Sequence, residues 1–120
     1  MADHNELGKK GEQLAVEWLT DKGYTILETN WRFEKAEVDI IARDREELVI
    51  VEVKTRSTDF FGLPEEAVDT NKENLLVGAA EAYVEMNNLD IDVRYDIIAI
   101  VLQSGKARIR HIRDAFYPGL

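Results

Sequence analysis

Val38-Asp39-Ile40-Ile41-Ala42 and Leu48-Val49-Ile50-Val51-Glu52-Val53-Lys54-Thr55-Arg56 are the two segments that decide the fold. The second opens on a continuous, largely β-branched run, the pattern of a strand buried on both faces. The first is a shorter apolar strand with one acid inside it. Between them, Arg43-Asp44-Arg45-Glu46-Glu47 is polar and has the length of a hairpin loop. The two strands are therefore expected to pair, and a strand covered on both faces calls for helices on both sides of the sheet.

The flanking sequence supplies those helices. Leu7, Leu14, Ala15, Trp18 and Leu19 recur at helical spacing between Leu7 and Lys22, and Gly23 follows as a left-handed stop. Tyr24 to Phe33 reads as a strand. Ser57 to Pro64, with Gly62 and the adjacent Phe60 and Phe61, reads as a loop. Asp69 or Thr70 can cap a second helix that runs to about Met86 and carries Leu75, Leu76, Ala79, Ala80, Tyr83 and Met86 on one stripe. Arg94 to Leu102 and Ala107 to Ile112 read as two more strands around the turn Gln103-Ser104-Gly105-Lys106. The expected order is αβββαββ, an α/β mixed sheet flanked by helices.

At 120 residues the chain is read as a single domain. With 45% apolar and 32% charged residues it has the balance of a folded globule. No apolar run is long enough to span a bilayer, so no membrane partner is expected. The polar start, read as lacking a signal peptide, makes the cytoplasm the expected compartment. There are no cysteines and only two histidines, which excludes disulfide staples, thiolate metal sites and a cysteine nucleophile. The net charge of −9 argues against a broad nucleic-acid-binding surface. The charge is uneven, however: Val101 to Leu120 holds Lys106, Arg108, Arg110 and Arg113 against the lone acid Asp114.

Three charged residues stand out because they interrupt apolar strands. Glu52 and Lys54 project from one face, about 6–7 Å apart along the strand, and the hairpin brings Asp39 beside them. Desolvating such groups is costly unless they compensate one another or hold a metal. Two carboxylates at a sheet end are hard oxygen ligands suited to Mg²⁺ or Mn²⁺, which take further ligands from water and phosphate. A lysine on the same face can orient an attacking water or stabilise charge developing at phosphorus. This points to metal-assisted phosphodiester hydrolysis. A structural ion-pair cluster accounts for the same spacing.

The segments Glu37-Val38-Asp39 and Val51-Glu52-Val53-Lys54-Thr55-Arg56 resemble the core of the PD-(D/E)xK nuclease superfamily. Together with Gly8-Lys9-Lys10-Gly11-Glu12, Gly23-Tyr24, Asn30-Trp31-Arg32, Phe61-Gly62, Pro64, Lys72, Ala80, Tyr83 and Arg94-Tyr95-Asp96, they make nearly the whole chain similar to the small bacterial YraN family. The resemblance implies a restriction-endonuclease-like fold, with Asp39 and Glu52 as metal ligands and Lys54 as the catalytic lysine. It adds Glu12 as a first-helix acid that completes the metal site. It also implies a nucleic-acid substrate, DNA before RNA and branched DNA by analogy with resolvase-like relatives, and a homodimer is a natural way to present two sites. Ala36 departs from the glycine usual before the Glu-x-Asp motif, which matters only if that position needs a positive φ. A protein that keeps the fold as a non-catalytic scaffold is the rival reading.

Further candidates carry two readings each. Glu37 is a supporting acid for the site or a partner of Lys54 or Arg56. Arg56 continues the alternation of Glu52 and Lys54 and is a phosphate contact or a solvated strand-end charge. Lys72 is a phosphate contact or a helix-surface lysine. Lys106, Arg108 and Arg110 form a basic stripe that either tracks a nucleic-acid backbone or guards an edge strand against aggregation. Tyr83 reads as core, and His111 has no assigned role.

Overall fold

The computed structural model describes residues 4–57 and 69–116. The expected loop with Phe60, Phe61, Gly62 and Pro64 falls outside them. The order is α1 (His4–Asp21), β1 (Thr25–Phe33), β2 (Ala36–Asp44), β3 (Glu47–Arg56), α2 (Thr70–Met86), β4 (Asp92–Gln103) and β5 (Lys106–Ile112). The strands form one five-stranded sheet in the order β1-β2-β3-β4-β5. All neighbours are antiparallel except β3 and β4, which run parallel. This is the architecture of a restriction-endonuclease-like fold. Among the described residues, no helix is long and apolar enough to cross a membrane.

Each helix begins or ends as its sequence dictates. α1 closes with Gly23 at φ 92°, the Tyr24 N–H bonding back to Leu19 and the Gly23 N–H to Thr20, a Schellman closure. α2 opens on Asp69, whose carboxylate accepts from the Lys72 N–H at 2.9 Å. Ala15 and Leu19 of α1 pack with Ile40, Val49, Val51, Ile98 and Ile100 on one sheet face. Leu76, Ala79, Ala80 and Tyr83 of α2 pack with Val38, Ile41, Leu48, Ile50 and Tyr95 on the other. Tyr83 is core, as its stripe implied. The strand between Lys54 and Arg56, read from sequence as the end of a run, continues to Arg56 because it pairs with Ala99 to Val101 of β4.

One irregularity shapes everything near the hairpin's open end. Val38 faces α2 whereas Ile40 faces α1, so β2 changes face at Asp39. β1 follows with Asn30 at φ 52°, a left-handed position that asparagine tolerates, and resumes pairing at Trp31 opposite Val38. The β2–β3 ladder ends at Ile40 opposite Val51. The left-handed turn residue before β2 is Glu34 at φ 54°, so Ala36 joins the strand without needing glycine.

A buried charge cluster locks the other end of the sheet. Arg94 donates to both oxygens of Asp96 at 2.9 Å, to Asp44 at 3.0 Å, to Glu47 at 3.1 Å and to the Tyr24 hydroxyl at 2.6 Å. Trp18 Nε1 donates to His111 Nδ1 at 3.2 Å, which leaves the ring proton on Nε2, 2.7 Å from Asp96. The Asp114 N–H also donates to Asp96. His111, given no role by the sequence, thus ties β5 to α1 and β4. The reason it escaped notice is that its partners lie far away in the chain.

α1 also approaches β3 so closely that a Cβ on Gly11 would collide with the Thr55 side chain. Gly11→Ala is expected to lower the unfolding temperature, as overpacking costs roughly 1–3 kcal/mol. Thr55→Ala in the same chain should restore part of that loss, measured by thermal unfolding of the two single variants and the pair.

Candidate active site

The end of the β2–β3 ladder leaves the Val53 N–H without a strand partner, and Asp39 supplies one: its Oδ2 accepts from Val53 at 2.7 Å. A side-chain carboxylate thus stands where a backbone carbonyl would otherwise be. Glu52, opposite Asp39 in the direction of the ladder, follows Leu48 and Ile50 onto the α2 face and is only 3% exposed. Lys54, two residues on, reaches Glu52 Oε1 at 3.2 Å. The Lys72 ammonium, brought in by the first turn of α2, meets the same oxygen at 2.5 Å. The other oxygen, Glu52 Oε2, is buried with no hydrogen-bond partner among the described residues. Such an orphan acceptor is costly and calls for a compensating group.

The protonation balance reflects this crowding. Asp39 is pushed up to about 7, first by burial and then by the Glu52 carboxylate, with Glu12 adding to the repulsion; the Val53 N–H and Lys72 pull the other way. Burial lowers the Lys54 ammonium, helped by Lys72 and opposed by Glu52. Lys72 is raised: burial alone would lower it, but its contacts with Glu52 outweigh that. Mutual repulsion of two carboxylates, a buried unsatisfied oxygen and a lysine with a lowered pKa suit a site built to receive a cation.

The residues present fit a hard divalent ion. Asp39 and Glu52 would hold it, with water and substrate oxygens completing the shell. Glu12 acts on Asp39 through its charge from the α1 side. Among the described residues, no three acidic or histidine side chains gather closely enough to enclose an ion by themselves. The protein's own donor set is therefore an acid pair with a third acid at longer range.

The remaining sequence candidates fall into two groups. Lys72, half-buried, grips Glu52 because the α2 N-terminus packs over that acid, so it is more than a plain helix-surface lysine. Glu37 pairs with Arg32 across β1 at 3.0 Å, not with Lys54 or Arg56, because the change of face at Asp39 turns it away from them. It lines a cavity of about 410 Å³ with Asp69, Asn71 and Lys72. Arg56 is exposed at the end of β3, and Lys106, Arg108 and Arg110 are exposed on β5, two strands away. The largest cavity, about 970 Å³, opens beside the Arg94 cluster and is lined by Tyr24, Asp44, Glu47 and His111 among others. These four already bond within the cluster.

An α/β chain with this strand order, and with an acid pair and a lysine at the splayed end of its central hairpin, has the outline of a restriction-endonuclease-like domain. The chain belongs to the family described as uncharacterised protein family UPF0102, also called YraN, which matches residues 11–100. It is 56% identical over 117 residues to the UPF0102 protein of Flavobacterium psychrophilum, covering 98% of each chain. It is 55% identical to that of Christiangramia forsetii over the same length and coverage. With the UPF0102 protein of Bacteroides thetaiotaomicron it shares 52% over 120 residues, covering 100% of this chain and 99% of the relative. These names state a family and no activity.

Asp39→Asn keeps the acceptor for Val53 and removes the charge. In the metal-free wild type the raised carboxyl holds its proton more tightly folded than unfolded. Wild-type stability should therefore fall as pH rises from about 4 through about 7. Asp39→Asn should unfold at higher temperature than wild type at pH 8, by the equivalent of roughly 2–4 kcal/mol, and the two should converge near pH 4. Parallel curves across the whole range would disprove the repulsion.

Proposed function

We propose that the protein is a metal-dependent nuclease that hydrolyses phosphodiester bonds, with DNA, branched or otherwise structured, as its substrate. The observation that carries this reading is the buried Glu52 carboxylate with one oxygen unpartnered among the described residues, beside Asp39 and 3.2 Å from Lys54. Asp39 and Glu52 would hold Mg²⁺ or Mn²⁺, with Glu12 adding negative charge from α1. When bound, the ion supplies Lewis acidity to a phosphoryl oxygen and lowers the pKa of water. Lys54, with its lowered pKa, positions the attacking water or offsets charge growing on the phosphate. The Val53 N–H holds one carboxylate oxygen of Asp39 in place. The cytoplasm offers both the ion and the substrate, and a homodimer would present two such sites to two strands.

One observation favours the second reading, a scaffold that keeps the fold without cleaving. Lys54 and Lys72 already neutralise Glu52 Oε1, so the site is partly compensated without a metal.

Cleavage of linear, single-stranded and four-way-junction DNA, and of RNA, in Mn²⁺ or Mg²⁺ at low salt separates the two. Wild type should cut at least one DNA. Glu52→Gln and Lys54→Met should each lose roughly 100-fold or more while unfolding cooperatively. No cleavage of any substrate by folded, Mn²⁺-saturated wild type would favour the scaffold.

A further inference from the structure

Glu52 meets two cations on one of its oxygens and none on the other. Lys54 reaches Oε1 at 3.2 Å and Lys72 reaches it at 2.5 Å, while Oε2 has no hydrogen-bond partner among the described residues. The two ammonium groups also act on each other. The charge of Lys72 extends to Asp39, whose carboxyl it pulls down against the burial that raises it. Lys72 thus touches one acid of the pair and partly balances the other. That is the electrostatic role a divalent cation between Asp39 and Glu52 would fill.

An ion held by the acid pair would repel both ammonium groups, and their surroundings decide which one yields. Lys54 stands on β3, between β2 and β4, with its side chain 21% exposed. Glu52 is its ion-pair partner, and among the described residues no second acid is bonded to it. Lys72 comes from the edge of the site, on the first turn of α2, with its side chain 37% exposed. It lines the 410 Å³ cavity together with Glu37, Asp69 and Asn71. Glu37 bonds Arg32 and Asp69 caps α2, yet a carboxylate accepts more than one hydrogen bond. The four-carbon stem of a lysine lets its ammonium swing from Glu52 into that cavity while the helix backbone stays in place.

A clip that pins α2 to β3 explains Lys72 on Glu52, but not the orphaned oxygen beside it. We infer that Lys72 is a built-in counter-cation that the divalent ion displaces: it holds Glu52 in the ion-free protein, and its ammonium withdraws into the cavity beside Glu37 and Asp69 when the ion binds. Lys54 stays on Glu52. The displacement makes the ion bind more weakly than the acid pair alone would hold it, because the Lys72–Glu52 bond is given up first. This rests on the ion-binding part of the nuclease reading and not on cleavage.

Ion binding is measured without DNA. In calorimetric titrations with Mn²⁺ and with Mg²⁺, wild type should bind, and Lys72→Gln should bind roughly 10-fold more tightly or better. Lys72→Arg keeps the charge and should stay within about threefold of wild type. A second readout uses wild type carrying ¹³C at the lysine Cε atoms, with the Lys72 signal assigned by its absence from Lys72→Arg. As Mg²⁺ is added, that signal should move towards those of the exposed Lys9 and Lys10, with the same midpoint as the calorimetric curve, while the Lys54 signal stays apart from them. A Lys72 signal that stays in place in Mg²⁺-saturated wild type would overturn the displacement and leave the cleavage reading standing. So would equal affinity in wild type and folded Lys72→Gln, which would make Lys72 a clip. Both expected results from a wild type that cuts no DNA in Mn²⁺ would uphold the displacement and remove the nuclease. Ion binding by neither protein would overturn both.

Discussion

The hydrogen bond from the Val53 N–H to the Asp39 carboxylate, 2.7 Å long, is where the regular sheet gives way to the acid pair. A continuous β2–β3 ladder would satisfy that N–H with a backbone carbonyl and keep both strands in one alternation. Here the ladder ends at Ile40 and Val51, β2 changes face, and a side chain completes the bonding. One residue solves two problems: it satisfies a backbone donor, which would otherwise be costly to bury, and it carries an anionic oxygen into the gap. The left-handed Asn30 on β1 is the matching adjustment, since a neighbour that kept its alternation would lose its pairing with Trp31 opposite Val38.

The two charge clusters of the sheet differ in how completely their polar groups are paired. Around Arg94, three carboxylates and a phenol surround one guanidinium, and Asp96 is further bound by His111 and the Asp114 N–H. Asp96 lies below the usual carboxylate range, because these partners outweigh the burial that would raise it. Among the described residues every buried polar side-chain atom there has a hydrogen-bond partner, and removing one group would leave the rest exposed to the full penalty of burial. Around Glu52 the pairing is incomplete: two ammonium groups crowd one oxygen, the second oxygen has no hydrogen-bond partner among the described residues, and Asp39 is raised by burial and then by a like charge. Burial pushes both Asp39 and Asp96 up, yet only Asp39 ends raised, so incomplete pairing and not burial sets the Glu52 end apart.

Most of the fold was legible because its information is local. The β-branched run Leu48 to Val53, the stripes of the two helices, the stop at Gly23 and the cap at Asp69 each depend on neighbours within one turn or one strand. Glu52 and Lys54 were legible for the same reason, as a two-residue step fixes their common face. Asp39 was found as an interruption, but the change of face beside it was not, since strict alternation puts Glu37 beside Asp39 and the structure sends it to Arg32. The contacts of Lys72 and His111 were not legible because their partners are set by the packing of whole elements. The α2 N-terminus over Glu52, and β5 over α1, leave no periodicity in the sequence. The Arg94–Asp96 alternation inside an apolar strand was the one local sign of the second cluster.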